Sequence, residues 1–202
     1  MLRRKPAEDR KTEIVEALLD LADRIGPDRL TTNDIAREVG VTQAAIFRHF
    51  PTKAELWSEA GEVIALRLTA AWQQALASET TPKGRLRALI AAQLRQIEAA
   101  PALPAILHSR ELNVDNADLR DRFRGLLAVY QGHLVATLEG MVADGSMTRH
   151  VRPQDAAVLL TSLVQGIAIR WSLGSRGFAL QAEGLRLLDV QLALLGCKEE
   201  RP

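Results

Sequence analysis

One cysteine, Cys197, stands in the whole chain. Its isolation excludes an intramolecular disulfide and a cysteine-rich zinc site together. Aromatic residues are nearly as scarce: four Phe, three Trp and one Tyr among 202 residues. Alternating Val/Ile/Thr runs that would mark strands are missing, whereas Ala, Leu, Arg, Glu and Gln, all good helix formers, are plentiful. No 18-residue run is wholly apolar, so no membrane span is expected. The start MLRRKPAEDRK leads into no apolar segment, so no signal peptide is expected either, and the reading is cytoplasmic. Gly-rich phosphate loops, a nucleophile elbow and metal-pair spacings are lacking. His108 and His133 have no companion ligands at metal spacing, and Glu111 beside Arg110 and His108 suits a surface pair or a pocket lining better than catalysis. No enzyme activity, cofactor or metal is therefore expected.

One further absence is local. From Val39 to Ala54, between Glu38 and Glu55, there is no carboxylate, although the net charge is only +1. Through Trp57 the chain holds ten Lys/Arg and ten Asp/Glu. A polyanion-binding surface here must come from arrangement, not from net charge. Arg48, His49 and Lys53 sit in the acid-free window, and Arg3, Arg4 and Lys5 form a basic tail.

The rest reads as about nine helices, an all-α fold. A first helix over roughly 8–25 carries Ile14, Leu18, Leu21 and Ile25 on one stripe and ends at Gly26-Pro27. Thr31-Thr32-Asn33-Asp34 is a capping box opening a second helix, which Gly40 stops. Thr42 caps a short third helix with Ile46 and Phe50 on its inner face, and Thr52 to Glu55 opens a long fourth to about Ser78. Further helices are expected to about Ala100, over 105–112, 117–143, 153–173 and 178–195, with 113–116 as a loop ending in an N-cap. Leu119, Phe123, Leu126, Leu127, Tyr130, Leu134, Leu138 and Met141 mark the inner side of the 117–143 helix. The last two helices are apolar over a wider arc than one core contact needs.

Two short helices joined by Gly40-Val41 have the grammar of a helix-turn-helix. Ile35, Val39, Ile46 and Phe50 can pack inward, leaving Thr42, Gln43, Ala44, Phe47 and Arg48 outward on the third helix. The B-DNA major groove accepts one helix, and a carboxylate on its exposed side would repel phosphate.

With these residues in place, LTTNDIAREVGVTQAAIFRHFPTKAELW resembles the DNA-binding head of the TetR family of transcriptional regulators. The family's pattern falls on Thr31, Ile35-Ala36, Gly40-Val41-Thr42, Phe47-Arg48-His49-Phe50 and Lys53. The resemblance implies a helix-turn-helix domain over 1–55 and a helical ligand-binding and dimerisation domain over 56–202. It implies phosphate contacts from Thr31 or Thr32, His49 and Lys53, with Thr42, Gln43, Ala44, Phe47 and Arg48 completing the interface with double-stranded DNA. Gln43 suits adenine and Arg48 suits guanine. The family often has tyrosine where Phe47 stands, and glycine and a hydroxyl residue where Ala44 and Ala45 stand, so base reading leans on Gln43, Arg48 and the alanine methyl groups.

A palindromic operator read by two heads calls for a homodimer, and the helices over 153–195 are the natural interface. In this family the intervening helices usually enclose a ligand cavity. Trp72, Gln93, His108, Phe123, Tyr130, Gln165 and Trp171 interrupt otherwise apolar stripes and are the candidate ligand contacts. They suit a small apolar or aromatic effector with one or two hydrogen bonds, whose identity the residues do not name. The expected function is a ligand-responsive regulator of transcription, a repressor released by that effector. The alternative is a DNA-organising or division-control protein on the same scaffold without an inducer.

Overall fold

A computed structural model describes residues 7–197, and the Arg3–Lys5 tail lies outside them. Ten helices occur among the described residues. They are α1 (Ala7–Ile25), α2 (Thr32–Val39), α3 (Gln43–His49), α4 (Lys53–Ala77) and α5 (Pro82–Ala99). There follow α6 (Leu103–His108), α7 (Arg110–Asp115), α8 (Ala117–Ala143), α9 (Pro153–Leu173) and α10 (Leu180–Leu194). The all-α expectation holds. The chain condenses into two compact units, Met1–Leu66 with Ala100–Arg124, and Arg67–Ala99 with Gly125–Pro202. This division by packing does not follow the linear one drawn at residue 55.

In the first unit, α1 buries Ile14, Val15, Leu18 and Leu21 and packs on α2, α3 and α6, while Ile25 at its end is exposed. The expected single helix over 105–112 is instead two six-residue helices. Ser109 is the cause. It leaves helical geometry at ψ 111°, and its Oγ accepts the Leu112 amide at 3.0 Å as the N-cap of α7. The same hydroxyl donates to Asp28 Oδ1, tying α7 to the turn before α2.

Asn116 ends α7 and starts α8. Its Oδ1 accepts the Leu119 amide at 3.0 Å, and its Nδ2 donates to the Ala54 carbonyl at 2.9 Å. The residue is buried, so both bonds are sheltered from water. Asn116→Ala is expected to cost about 1–2 kcal/mol and lower the melting temperature by a few degrees, roughly 2–4 °C per kcal/mol. Asn116→Asp, which keeps the cap and loses the donor, is expected to recover part of that in a thermal melt followed by circular dichroism.

In the second unit, α10 packs on α5 and α9. Gly184 makes the α5 contact possible, since a Cβ there would stand 2.5 Å from Leu94 Cδ1 in the core. α9 buries Ala156, Ala157, Leu160, Val164, Ile167, Ala168 and Trp171. By length and composition α8 and α9 have the apolar content of a membrane span; in α9 these seven residues put much of it into internal packing. The turn after α9 places Ser175 and Arg176 at positive φ, 53° and 59°. There Trp171 Nε1 donates to the Phe178 carbonyl at 3.0 Å, and α10 starts two residues later than the 178 expected. Leu127, expected inward on α8, is exposed, whereas Tyr130, Leu134, Leu138 and Met141 are buried.

Candidate nucleic-acid interface

The geometry of α2 and α3 follows from local capping. Thr31 closes a complete capping box: its Oγ1 accepts the Asp34 amide, and Asp34 Oδ2 accepts the Thr31 amide at 3.1 Å. The Thr31 hydroxyl also donates to Asp34 Oδ2 at 2.6 Å, and these bonds hold the Asp34 carboxyl below the usual carboxylate range. Gly40 ends α2 in the left-handed region, φ 72°, and Val41 donates to the Ala36 carbonyl at 2.9 Å. Thr42 then caps α3 by accepting the Ala45 amide at 3.3 Å. Ile35, Ala36, Ile46 and Phe50 are buried, which fixes α3's inner side.

What α3 turns outward is Thr42, Gln43, Ala44, Phe47 and Arg48, all exposed, with His49 partly so. Phe47 keeps 40% of its surface accessible, a large apolar ring in solvent on the outer side of α3. Lys53 is exposed at the first residue of α4. The two carboxylates of α2 are occupied: Glu38 pairs with Arg24 at 2.8 Å and Asp34 lies 3.7 Å from Arg37. Among the described residues Arg48 and Lys53 have no ion-pair partner. Positive groups are therefore left uncompensated on the α3 side.

The threonines separate by role. The Thr31 hydroxyl proton is committed to Asp34, whereas Thr42 uses its oxygen as a cap and retains its proton for donation. Thr32 accepts a hydrogen bond from Gln43 Nε2 at 2.7 Å, a link between α2 and α3 that sequence reading did not anticipate. It fixes the orientation of the exposed Gln43 amide. Gln43→Ala is expected to cost about 1–3 kcal/mol on a preferred duplex and to relax selectivity at one base pair. Thr32→Val is expected to relax the same position, and Thr32→Ser to preserve it. Lys53→Ala is expected to weaken all sequences alike and flatten the salt dependence. Quantitative binding to a library of single-base variants at several salt concentrations reads all four.

Trp72, Gln93 and Tyr130 come together in the second unit: Trp72 Nε1 donates to Gln93 Oε1 at 2.8 Å, and the Trp72 and Tyr130 rings lie 5.0 Å apart, tilted by 38°. His133 joins them edge-on to Trp72 at 6.4 Å. Its i, i+3 relation to Tyr130, and not any metal-ligand spacing, is the signal that places it on the same helix face. Trp171 is buried on α9, its indole N–H taken by the Phe178 carbonyl. Gln165 is exposed on α9 and His108 at the end of α6. Phe123 is buried in the first unit, to which His108 also belongs. Among the described residues no three His, Cys, Asp or Glu side chains gather to hold a metal.

Residues 14–60 match the sequence profile of bacterial regulatory proteins of the tetR family, and residues 82–195 match that of the C-terminal part of BetI-type transcriptional repressors. The nucleoid occlusion factor SlmA of Vibrio cholerae serotype O1 is 34% identical over 119 residues, 58% of this chain and 61% of that protein. The chain thus spans about three fifths of the length of that relative. SlmA of Pectobacterium carotovorum subsp. carotovorum is 31% identical over 154 residues, 75% of this chain and 78% of that one. A transcriptional regulator from Saccharomonospora viridis, solved in complex with choline, shares the fold with a TM-score of 0.80 at 20% identity, over 95% of this chain and 100% of that one. The capped α2–α3 pair, the acid-free outer side of α3 and these matches agree: the chain belongs to the TetR family of DNA-binding transcriptional regulators.

Proposed function

We propose that the protein is a ligand-responsive repressor that binds a palindromic operator as a homodimer and is released by a small, largely apolar effector. The observation that carries DNA reading is the exposed side of α3, which presents Gln43, Phe47 and Arg48 and no carboxylate. In this reading Thr32, Thr42, His49 and Lys53 position the phosphate backbone. Dimerisation uses α9 and α10, where Val158, Leu159, Leu173, Val190 and Leu194 leave apolar surface in solvent. Effector binding uses the Trp72 group. The site of action is the cytoplasm, where a bacterial regulator meets its DNA.

Selection of bound fragments from random DNA at near-physiological salt tests the reading. It is expected to enrich a palindrome whose half-sites are roughly 34–36 Å apart, or a multiple of that spacing. Enrichment of no sequence, or of unpaired half-sites only, contradicts it.

The likeness to nucleoid occlusion factors favours a second reading, a DNA-organising or division-control protein without an inducer. A thermal-shift screen of the free protein, followed by release from the selected DNA, separates the two. A compound that both stabilises and releases supports the repressor; selected sites spread along a chromosome with no releasing compound support the other.

A further inference from the structure

The chain's one tyrosine is almost wholly enclosed, and its hydroxyl has no hydrogen-bond partner among the described residues. Three other buried polar side-chain atoms share that condition, on Trp57, Arg122 and Thr148, but Tyr130 is the one whose ring stacks on a second aromatic. Burial pushes the phenol well above its usual range, so it keeps its proton and acts as a donor at neutral pH. Buried hydroxyls in folded proteins are ordinarily paired, and one left open inside a core points to a group still to arrive.

Its surroundings say what kind of group. Gln93 spends one of its two oxygen lone pairs on the Trp72 indole, which leaves both N–H donors on Nε2 against a single acceptor position. The group therefore offers donors in surplus, Tyr130 Oη–H and Gln93 Nε2–H, beside the aromatic surfaces of Trp72 and Tyr130 and the edge-on His133 ring. The complement is an acceptor without a proton, carried on a flat apolar body. An anion would have only the His133 ring to look to for a counter-charge, since Trp72, Gln93 and Tyr130 carry none, and burying an unpaired carboxylate is costly. A quaternary ammonium fits poorly too. A cation gains from acceptors, and the open groups here are donors that turn hydrogens toward it.

Resting on the ligand-responsive reading, we propose that Tyr130 and Gln93 form the polar end of a site among α4, α5 and α8 for a neutral aromatic carbonyl compound. Its carbonyl oxygen accepts from Tyr130 Oη, and its ring lies along Trp72.

Calorimetric titration of the DNA-free protein with matched pairs tests this: acetophenone against ethylbenzene, 2-acetylnaphthalene against 2-ethylnaphthalene, benzophenone against diphenylmethane. Benzoate and choline are the charged controls. In at least one pair the ketone is expected to bind about tenfold more tightly than its hydrocarbon, and Tyr130→Phe to bring that ratio close to one. The ligand-free Tyr130→Phe variant is expected to melt at or above the wild-type temperature, because no bond is lost. Equal binding within all three pairs, preference for benzoate or choline, or a lower melting temperature for ligand-free Tyr130→Phe each overturns the site. An effector that releases DNA equally well from Tyr130→Phe overturns it too, and leaves the ligand-responsive reading standing.

Discussion

Ala44→Glu is expected to weaken operator binding at least about a hundredfold while leaving the fold intact. Ala44 is exposed and is the second residue of α3, beside Gln43. A carboxylate there enters the acid-free surface that the DNA reading sets against phosphate, and juxtaposed like charges cost several kcal/mol at an interface. The same carboxylate suits the helix, because the first turn of a helix favours negative charge. Loss of binding therefore cannot be charged to unfolding, and an unchanged melting curve verifies the point. Ala44→Gln, similar in size but neutral, is expected to keep most of the affinity. Fluorescence anisotropy on a labelled operator measures all three proteins. Wild-type affinity for Ala44→Glu would mean that α3 does not face the duplex.

Val158→Glu with Val190→Glu is expected to give a folded monomer whose affinity for a palindrome falls by about 10²–10⁴. Val158 and Val190 are 53% and 48% exposed, on α9 and α10. Around Val158 the outer side of α9 continues through Ser162, Gln165 and Gly166, the last with open space where a Cβ would stand. Leu173, Val190 and Leu194 extend the apolar surface, and the proposed dimer would remove it from water. Two carboxylates per chain, doubled by twofold symmetry, would be buried unpaired in that dimer but are harmless in a monomer. One head then binds one half-site, and the gain from tethering a second is lost. Sedimentation velocity gives the mass, and gel shift on full and half operators gives the affinity. A dimer that survives both substitutions would move the interface elsewhere on the surface.

Gln165 illustrates what a stripe pattern leaves open. A polar residue among Val164, Ile167 and Ala168 reads as a group facing a ligand, yet it is exposed on α9. His108 is similar: it interrupts an apolar stretch but closes α6 with its side chain in solvent. Periodicity tells that a helix has an apolar side, but not where a residue at the margin of that side ends up.

Ser109 could have been read, since serine three residues before Leu112 is an N-cap signal, but proline at 104 and the loop-like Asn113 to Asn116 drew the boundary elsewhere. Its other partner, Asp28, lies 81 residues away and has no signature in the neighbouring residues.

Within the sequence itself lay the all-α class, the capped α2–α3 pair, the glycine at φ 72° and the side of α3 without acids. Each rests on interactions spanning four or five residues, which backbone geometry and side-chain chemistry settle locally. Only the tertiary structure decided that Thr32 orients Gln43, that Asn116 ties α8 to the start of α4, and that Trp72, Gln93, Tyr130 and His133 converge around an unpaired hydroxyl. Those contacts depend on which apolar stripe meets which across tens of residues of chain, a choice made by packing in three dimensions.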